Sequence, residues 1–162
     1  MTDKKEEINA DDSIIYIKHK NESTIYEIPA SAVQHSNLLR EIIDCETDKY
    51  TLDNPIVISE VNAETMPFII NYMRYYDNKL EKPPPESPIK DIHISVIFGD
   101  EYKLFSDIYS ENDTLKEKII KINSITESAL YFDFKYLHKK LCAIIASLLL
   151  NIDINQIKSL LN

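Results

Sequence analysis

Glycine occurs once in the 162 residues, at Gly99, and tryptophan not at all. A single glycine excludes phosphate-cradling loops and dinucleotide fingerprints, which need several glycines for the backbone to approach a phosphate closely. The common nucleotide-dependent enzyme classes fall with them. Cysteine is nearly as scarce: Cys45 and Cys142 lie far apart and belong to no spaced cluster, so neither a disulfide framework nor a thiolate metal site is supported. A reduced compartment, cytoplasm or nucleus, is the expected setting. Long apolar runs are missing too. The longest, Ala143 to Leu150, falls short of a membrane span, and the opening MTDKKEEINADD has no signal-peptide core, so we expect a soluble protein with no membrane partner.

Positive charge is in deficit, with 18 basic against 27 acidic side chains, a formal net charge of −9 and a pI near 4.9. That field repels phosphate backbones and argues against direct nucleic-acid binding. The length suits one domain, which at this size buries roughly 68–70% of the surface its unfolded chain exposes and needs no metal or disulfide.

Candidate catalytic groups are equally thin. His19, His35, His93 and His138 show no i, i+4 pairing and no cysteine at ligand spacing, so no metal is expected. The acidic pairs Asp11-Asp12 and Asp100-Glu101 sit in polar text and read as solvated surface charge rather than an acid/base couple. Cys142 lies in an apolar helical stretch and reads as core. Tyr72 and Tyr76 share a helix face and read as packed, leaving Tyr75 outward, where an exposed aromatic can anchor a partner. No catalytic residue and no cofactor emerge.

Residues 1–12 carry too little apolar surface to offset the entropy of ordering and read as a disordered tail. Two β-branched and aromatic runs, Ile14 to Ile17 and Thr24 to Ile28, then predict a hairpin across a polar loop, broken at Pro29. Ala32-Val33 and Leu38-Leu39-Ile42-Ile43 predict two short helices, the second capped by Ser36. Ile56-Val57-Ile58 reads as a third strand. A helix bearing Phe68, Ile69, Tyr72, Met73 and Tyr76 follows, capped at Thr65 in preference to Asn62 so that Pro67 falls in the first turn. LEKPPPESP, which leads into and fills most of a linker over 81–91, excludes helix and central strand. Beyond it we expect an irregular helix broken near Gly99, then a helix opened by the capping box Thr114-Leu115-Lys116-Glu117 and ending near Tyr131. Asp133 is the expected cap of a helix bearing Leu137, Leu141, Ile144, Ile145 and Leu148, and Asp153 that of a last short one with Ile157, Leu160 and Leu161. The expected class is α+β, a small three-stranded sheet covered by helices, with a C-terminal helical extension.

The segments SIIYIKHKNESTIYEIP, PIVISEVNAE, PPPESPIKDI leading to FGDEY, and ALYFDFKYL to INQIKSLL together resemble the Skp1 family, the adaptors of cullin-based ubiquitin ligases. The resemblance covers nearly everything from Ser13 onward, and the aromatic-Asp-aromatic-Lys run before a long helix is its most specific part. It implies a BTB/POZ domain over 13–131 and Skp1-type helices over 132–162. It also implies no catalytic activity and two partners, a cullin and an F-box protein or related receptor. Tyr131 matches an aromatic on the family's cullin-facing surface. Ile157 and Leu161 match apolar positions of the short helix that faces the F-box, and Ile154 and Leu160 extend the same apolar surface. Leu130 stands where the family has a polar amide, Phe98 where it has a tryptophan. The family continues past the short helix into two more helices, which this sequence lacks. Two rivals stay open. One is an adaptor like elongin C with no F-box role; the other is a homo-oligomeric BTB scaffold, a homodimer for instance, whose apolar surfaces pair with themselves.

Overall fold

A computed structural model describes residues 14–45, 50–150, 152–155 and 158. The proposed tail over 1–12 and the apolar Ile157, Leu160 and Leu161 lie outside the described residues.

Strand β1 (Ile14–His19) alternates in burial as a half-buried strand must, with Ile15, Ile17 and His19 inward. It pairs antiparallel with β2 (Ile25–Pro29), Ile17 facing Tyr26, and parallel with β3 (Ile56–Ile58), Ile17 facing Ile56. The sheet order is therefore β2-β1-β3. A parallel neighbour cannot be reached by a tight turn, so the chain crosses over through α1 (Ala30–Val33) and α2 (Asn37–Cys45). Pro29 closes β2 from within, paired opposite Ile14, where the expectation placed it just beyond the strand. Ser36 caps α2 as expected, its Oγ accepting from the Leu39 N–H at 3.2 Å.

Helix α3 (Met66–Tyr75) begins where Pro67 is tolerated, but the capping bond itself belongs to Asn62. Its side chain accepts from the Glu64 N–H at the head of a 3₁₀ turn, Ala63–Thr65, that leads into α3. Thr65 holds the N-cap position of α3 but its side chain makes no capping bond, so the expected cap is met in position only. Ile69, Tyr72, Met73 and Tyr76 are buried along one face, and Arg74 anchors α3 to the sheet by donating to the Glu27 carbonyl.

The proline linker carries no helix or strand. After it come α4 (Ile94–Phe98), a 3₁₀ turn at Gly99–Glu101 and α5 (Tyr102–Phe105), with Gly99 at φ +57°, a left-handed conformation that suits glycine at the break. Helix α6 (Leu115–Tyr131) opens on the expected capping box, Thr114 and Glu117 satisfying each other's backbone N–H groups.

The junction to α7 (Leu137–Leu149) corrects one expectation, because Asp133 caps no helix start. It sits at φ +52° as the left-handed residue that ends α6. The Phe134 N–H reaches back to the Ala129 carbonyl at 3.2 Å and the Asp133 N–H to the Leu130 carbonyl at 3.1 Å, the paired bonds of a Schellman ending. This corner is tied to the head of α2. The Ser36 hydroxyl donates to the Phe132 carbonyl at 2.6 Å, and Asn37 donates to Asp133 through side chain and backbone. Phe132 and Phe134 then enter the core against Tyr72.

Leu137, Leu141 and Ile144 of α7 are buried as expected, whereas Cys142 is exposed and not core, since it follows Leu141 by one residue and turns about 100° away from that face. Among the described residues no helix is long and apolar enough to cross a membrane. The architecture is mixed, a small three-stranded sheet with helices packed on it.

Candidate protein-interaction surfaces and a buried polar network

The outer face of α6 carries Ile120, Asn123, Glu127 and Leu130, spaced so that they fall in one stripe, and the two apolar members are 58% and 57% exposed. The corner between β3 and α3 lies alongside. Asn62 donates to Ser124 at 3.3 Å, and the hydroxyls of Thr65 and Ser128 meet at 2.7 Å beneath the surface. Tyr131 closes the stripe. Its ring is half-buried and set edge-on against the fully buried Phe132, 5.5 Å between centroids, so its body is held by the core while its edge remains accessible. A ring fixed in this way loses little side-chain entropy on meeting a partner, which is what makes tyrosine an effective anchor.

A second apolar region follows α7. Leu148 and Leu149 are half-buried, Leu150 is exposed, and Ile154 is 68% exposed in the turn where the Asp153 side chain accepts the Asn155 N–H at 2.8 Å. That bond fits the expected cap. Of the four receptor-facing candidates only Ile154 lies among the described residues, and it does point to solvent. Tyr131 precedes the start of α7 and Ile154 follows its end. The 13 residues of that helix, roughly 20 Å long, lie between Tyr131 and Ile154 in the chain.

Reading the sequence missed the most unusual constellation in the molecule. Lys140 of α7 is wholly buried, and its ammonium donates to Glu101 Oε1 at 2.6 Å, to the Tyr76 hydroxyl at 2.8 Å and to the Tyr72 hydroxyl at 3.4 Å. The Tyr76 hydroxyl donates to the same Glu101 carboxylate, and the Tyr72 hydroxyl donates to Glu81 at the head of the linker. The ammonium also lies 4.9 Å from the centroid of the Tyr76 ring, within cation–π range. Glu101, expected to be solvated, is therefore buried, and its neighbour Asp100 alone meets the expectation, exposed and paired with Lys82 at 2.5 Å.

The network's electrostatics follow from its burial. Desolvation pushes the Tyr72 phenol far above its ordinary 10.0; the Glu81 carboxylate, by charge and by hydrogen bond, and Glu101 push the same way. Desolvation holds Lys140 below the ordinary lysine value, opposed by the Glu101 hydrogen bond and charge. All three ammonium protons have acceptors, so the lysine offers no free donor to a substrate; the arrangement joins α3, the linker, the Gly99–Glu101 turn and α7.

The open grooves have mixed, shallow linings. One of them, about 480 Å³, runs past Gln34, His35, Arg40, Glu81 and Lys135. The His35 Nε2–H donates to the Tyr76 carbonyl at 2.7 Å, and burial keeps its pKa low against the pull of Glu81 and Asp77. Tyr75, read as outward, is half-buried edge-on against Tyr76 with the Lys79 ammonium 4.8 Å from its ring centroid. Among the described residues no group of three His, Cys, Asp or Glu side chains is placed to hold a metal ion.

Neither a scan against protein-family models nor a search of curated proteins returns a match.

Proposed function

We propose that the chain is a non-catalytic adaptor of the Skp1 type, built on a BTB/POZ fold, that joins a cullin scaffold to an F-box-type receptor in a ubiquitin ligase. The observation that carries this reading is the pair of accessible apolar sets on either side of α7 in the chain, the α6 stripe ending in Leu130 and Tyr131 before it and Leu150 with Ile154 after it. Two distinct apolar sets give a bridging protein one contact for each partner. The Tyr-Phe-Asp-Phe corner supports the same reading, since it sets Tyr131 at the surface by sinking its neighbour Phe132 into the core.

The cullin is assigned to the Tyr131 surface. The receptor is assigned to the apolar end, as an amphipathic helix laid against Ile154 and Leu160 and, by the family pattern, Ile157 and Leu161. The expected compartment is cytoplasm or nucleus.

Tyr131→Ala is expected to weaken binding to a cullin N-terminal domain by about 2 kcal/mol, roughly thirtyfold, as truncating a central aromatic anchor does. Affinity for an F-box peptide stays unchanged in the same variant. Isothermal titration calorimetry of both ligands against wild type and variant checks this. Cullin affinity that survives the substitution removes the assignment of this surface.

A further inference from the structure

The proline linker carries Ser87-Pro88-Ile89-Lys90, a hydroxyl acceptor with proline immediately after it and a basic side chain three positions on, to which the adaptor reading assigns no role. We propose that Ser87 is a phosphorylation site for a proline-directed protein kinase that also requires this downstream positive charge.

Each of the three residues supplies one element of recognition. Pro88 has no N–H, so it enters an apolar pocket that would leave the amide of any other residue buried and unpaired. Lys90 offers an ammonium to an anionic group on the kinase, a charge-assisted contact that fixes register. Ser87 carries the nucleophilic hydroxyl, and the dipeptide is the only Ser-Pro or Thr-Pro in the sequence.

The structure makes the site reachable. Ser87, Pro88 and Lys90 are all exposed. Among the described residues no backbone–backbone hydrogen bond involves 80–92, so none has to be broken for a kinase to grasp the segment. The Ser87 hydroxyl has no hydrogen-bond partner among the described residues, in contrast to Thr114, whose hydroxyl is committed to its capping box, and Ser36, committed to Phe132. Ile89, half-buried against the core, is the linker's nearest tether and lies between the two recognition residues.

In the transfer, the Ser87 Oγ bonds to the γ-phosphorus of ATP, the bond from that phosphorus to the bridging oxygen breaks, ADP departs and the hydroxyl proton passes to the kinase's base. The product carries a further charge of about −1.5 to −2 in the cleft that Ser87 shares with Glu86, Asp91 and Ile97. Phosphorylation thus places like charges together beside Ile97 of α4, with Lys90 the basic side chain that lines the same cleft.

The test uses the full chain, a purified cyclin-dependent kinase and Mg-ATP, with phosphate located by tandem mass spectrometry. One phosphate per chain is expected, on Ser87. Ser87→Ala and Pro88→Ala should each abolish it, and Lys90→Ala should slow it about tenfold, as loss of one charged hydrogen bond does. All three positions are exposed, so the variants should keep the wild-type circular dichroism spectrum. An unmodified wild-type chain, phosphate on another residue, or Ser87 phosphorylation indifferent to Pro88→Ala would overturn the proposal.

Discussion

Lys140→Ala lowers the unfolding free energy by about 3–5 kcal/mol, the expected consequence of removing one member of a buried, hydrogen-bonded ion pair. The substitution leaves the Glu101 carboxylate buried and without its cation, and strips a donor from both Tyr72 and Tyr76. Replacing both charges by apolar side chains of similar volume, Lys140→Met with Glu101→Leu, should cost far less, because no orphaned charge remains. The comparison separates the worth of the pair from the penalty of breaking it. Urea unfolding of the two variants and wild type, compared at equal m-value, reads the difference. A loss below about 1 kcal/mol for Lys140→Ala, the range typical of a surface ion pair, would show that the pair is not buried as described.

Alkaline titration gives the second large effect. Tyr72 is held protonated in the folded chain well above 10.0, the value at which the unfolded tyrosine ionises. Above that pH the native state binds the extra proton, so stability falls as pH rises, by about 1.4 kcal/mol per pH unit for this one group. Lys140 acts in the opposite sense. Its folded pKa is lowered, so stability rises with pH between that value and 10.5, where the unfolded lysine also loses its proton and the effect ends. The clean window therefore lies above pH 10.5. There the stability curve of Tyr72→Phe should be shallower than wild type by about 1.4 kcal/mol per unit. Superimposable curves would mean that Tyr72 ionises in the folded chain as it does in the unfolded one.

The same network shows what sequence pattern could and could not deliver. The hairpin, the short strand Ile56–Ile58, the capping box at Thr114 and the break at Gly99 were all legible, since each depends on residues within a few positions of one another. Lys140 and Glu101 are 39 positions apart, beyond the reach of any local rule. A signal did exist. Lys140 falls on the stripe of Leu137, Leu141 and Ile144, and Glu101 on that of Phe98 and Phe105, so each charge stands in the phase of a buried face and calls for a partner. Phase also explains Cys142, which composition placed in the core and helical rotation places outside it.

Asp133 was ambiguous for a different reason. Aspartate suits both the start of a helix and the left-handed residue that ends one, and the choice is made by where the next apolar period begins, at Leu137. Of the proposed contact residues, Tyr131 was suggested by the family resemblance and Ile154 by the surplus of apolar residues after α7, while the stripe of Ile120 and Leu130 became visible only when α6 was seen packed on its opposite face.

The most direct test of the adaptor reading is calorimetric titration of the full chain with a cullin N-terminal domain and with an F-box peptide, first separately and then with the other already bound. Two distinct surfaces, one on each side of α7 in the chain, predict that both ligands bind, each at one site per chain, and that neither changes the affinity of the other. Failure of both to bind would contradict the account.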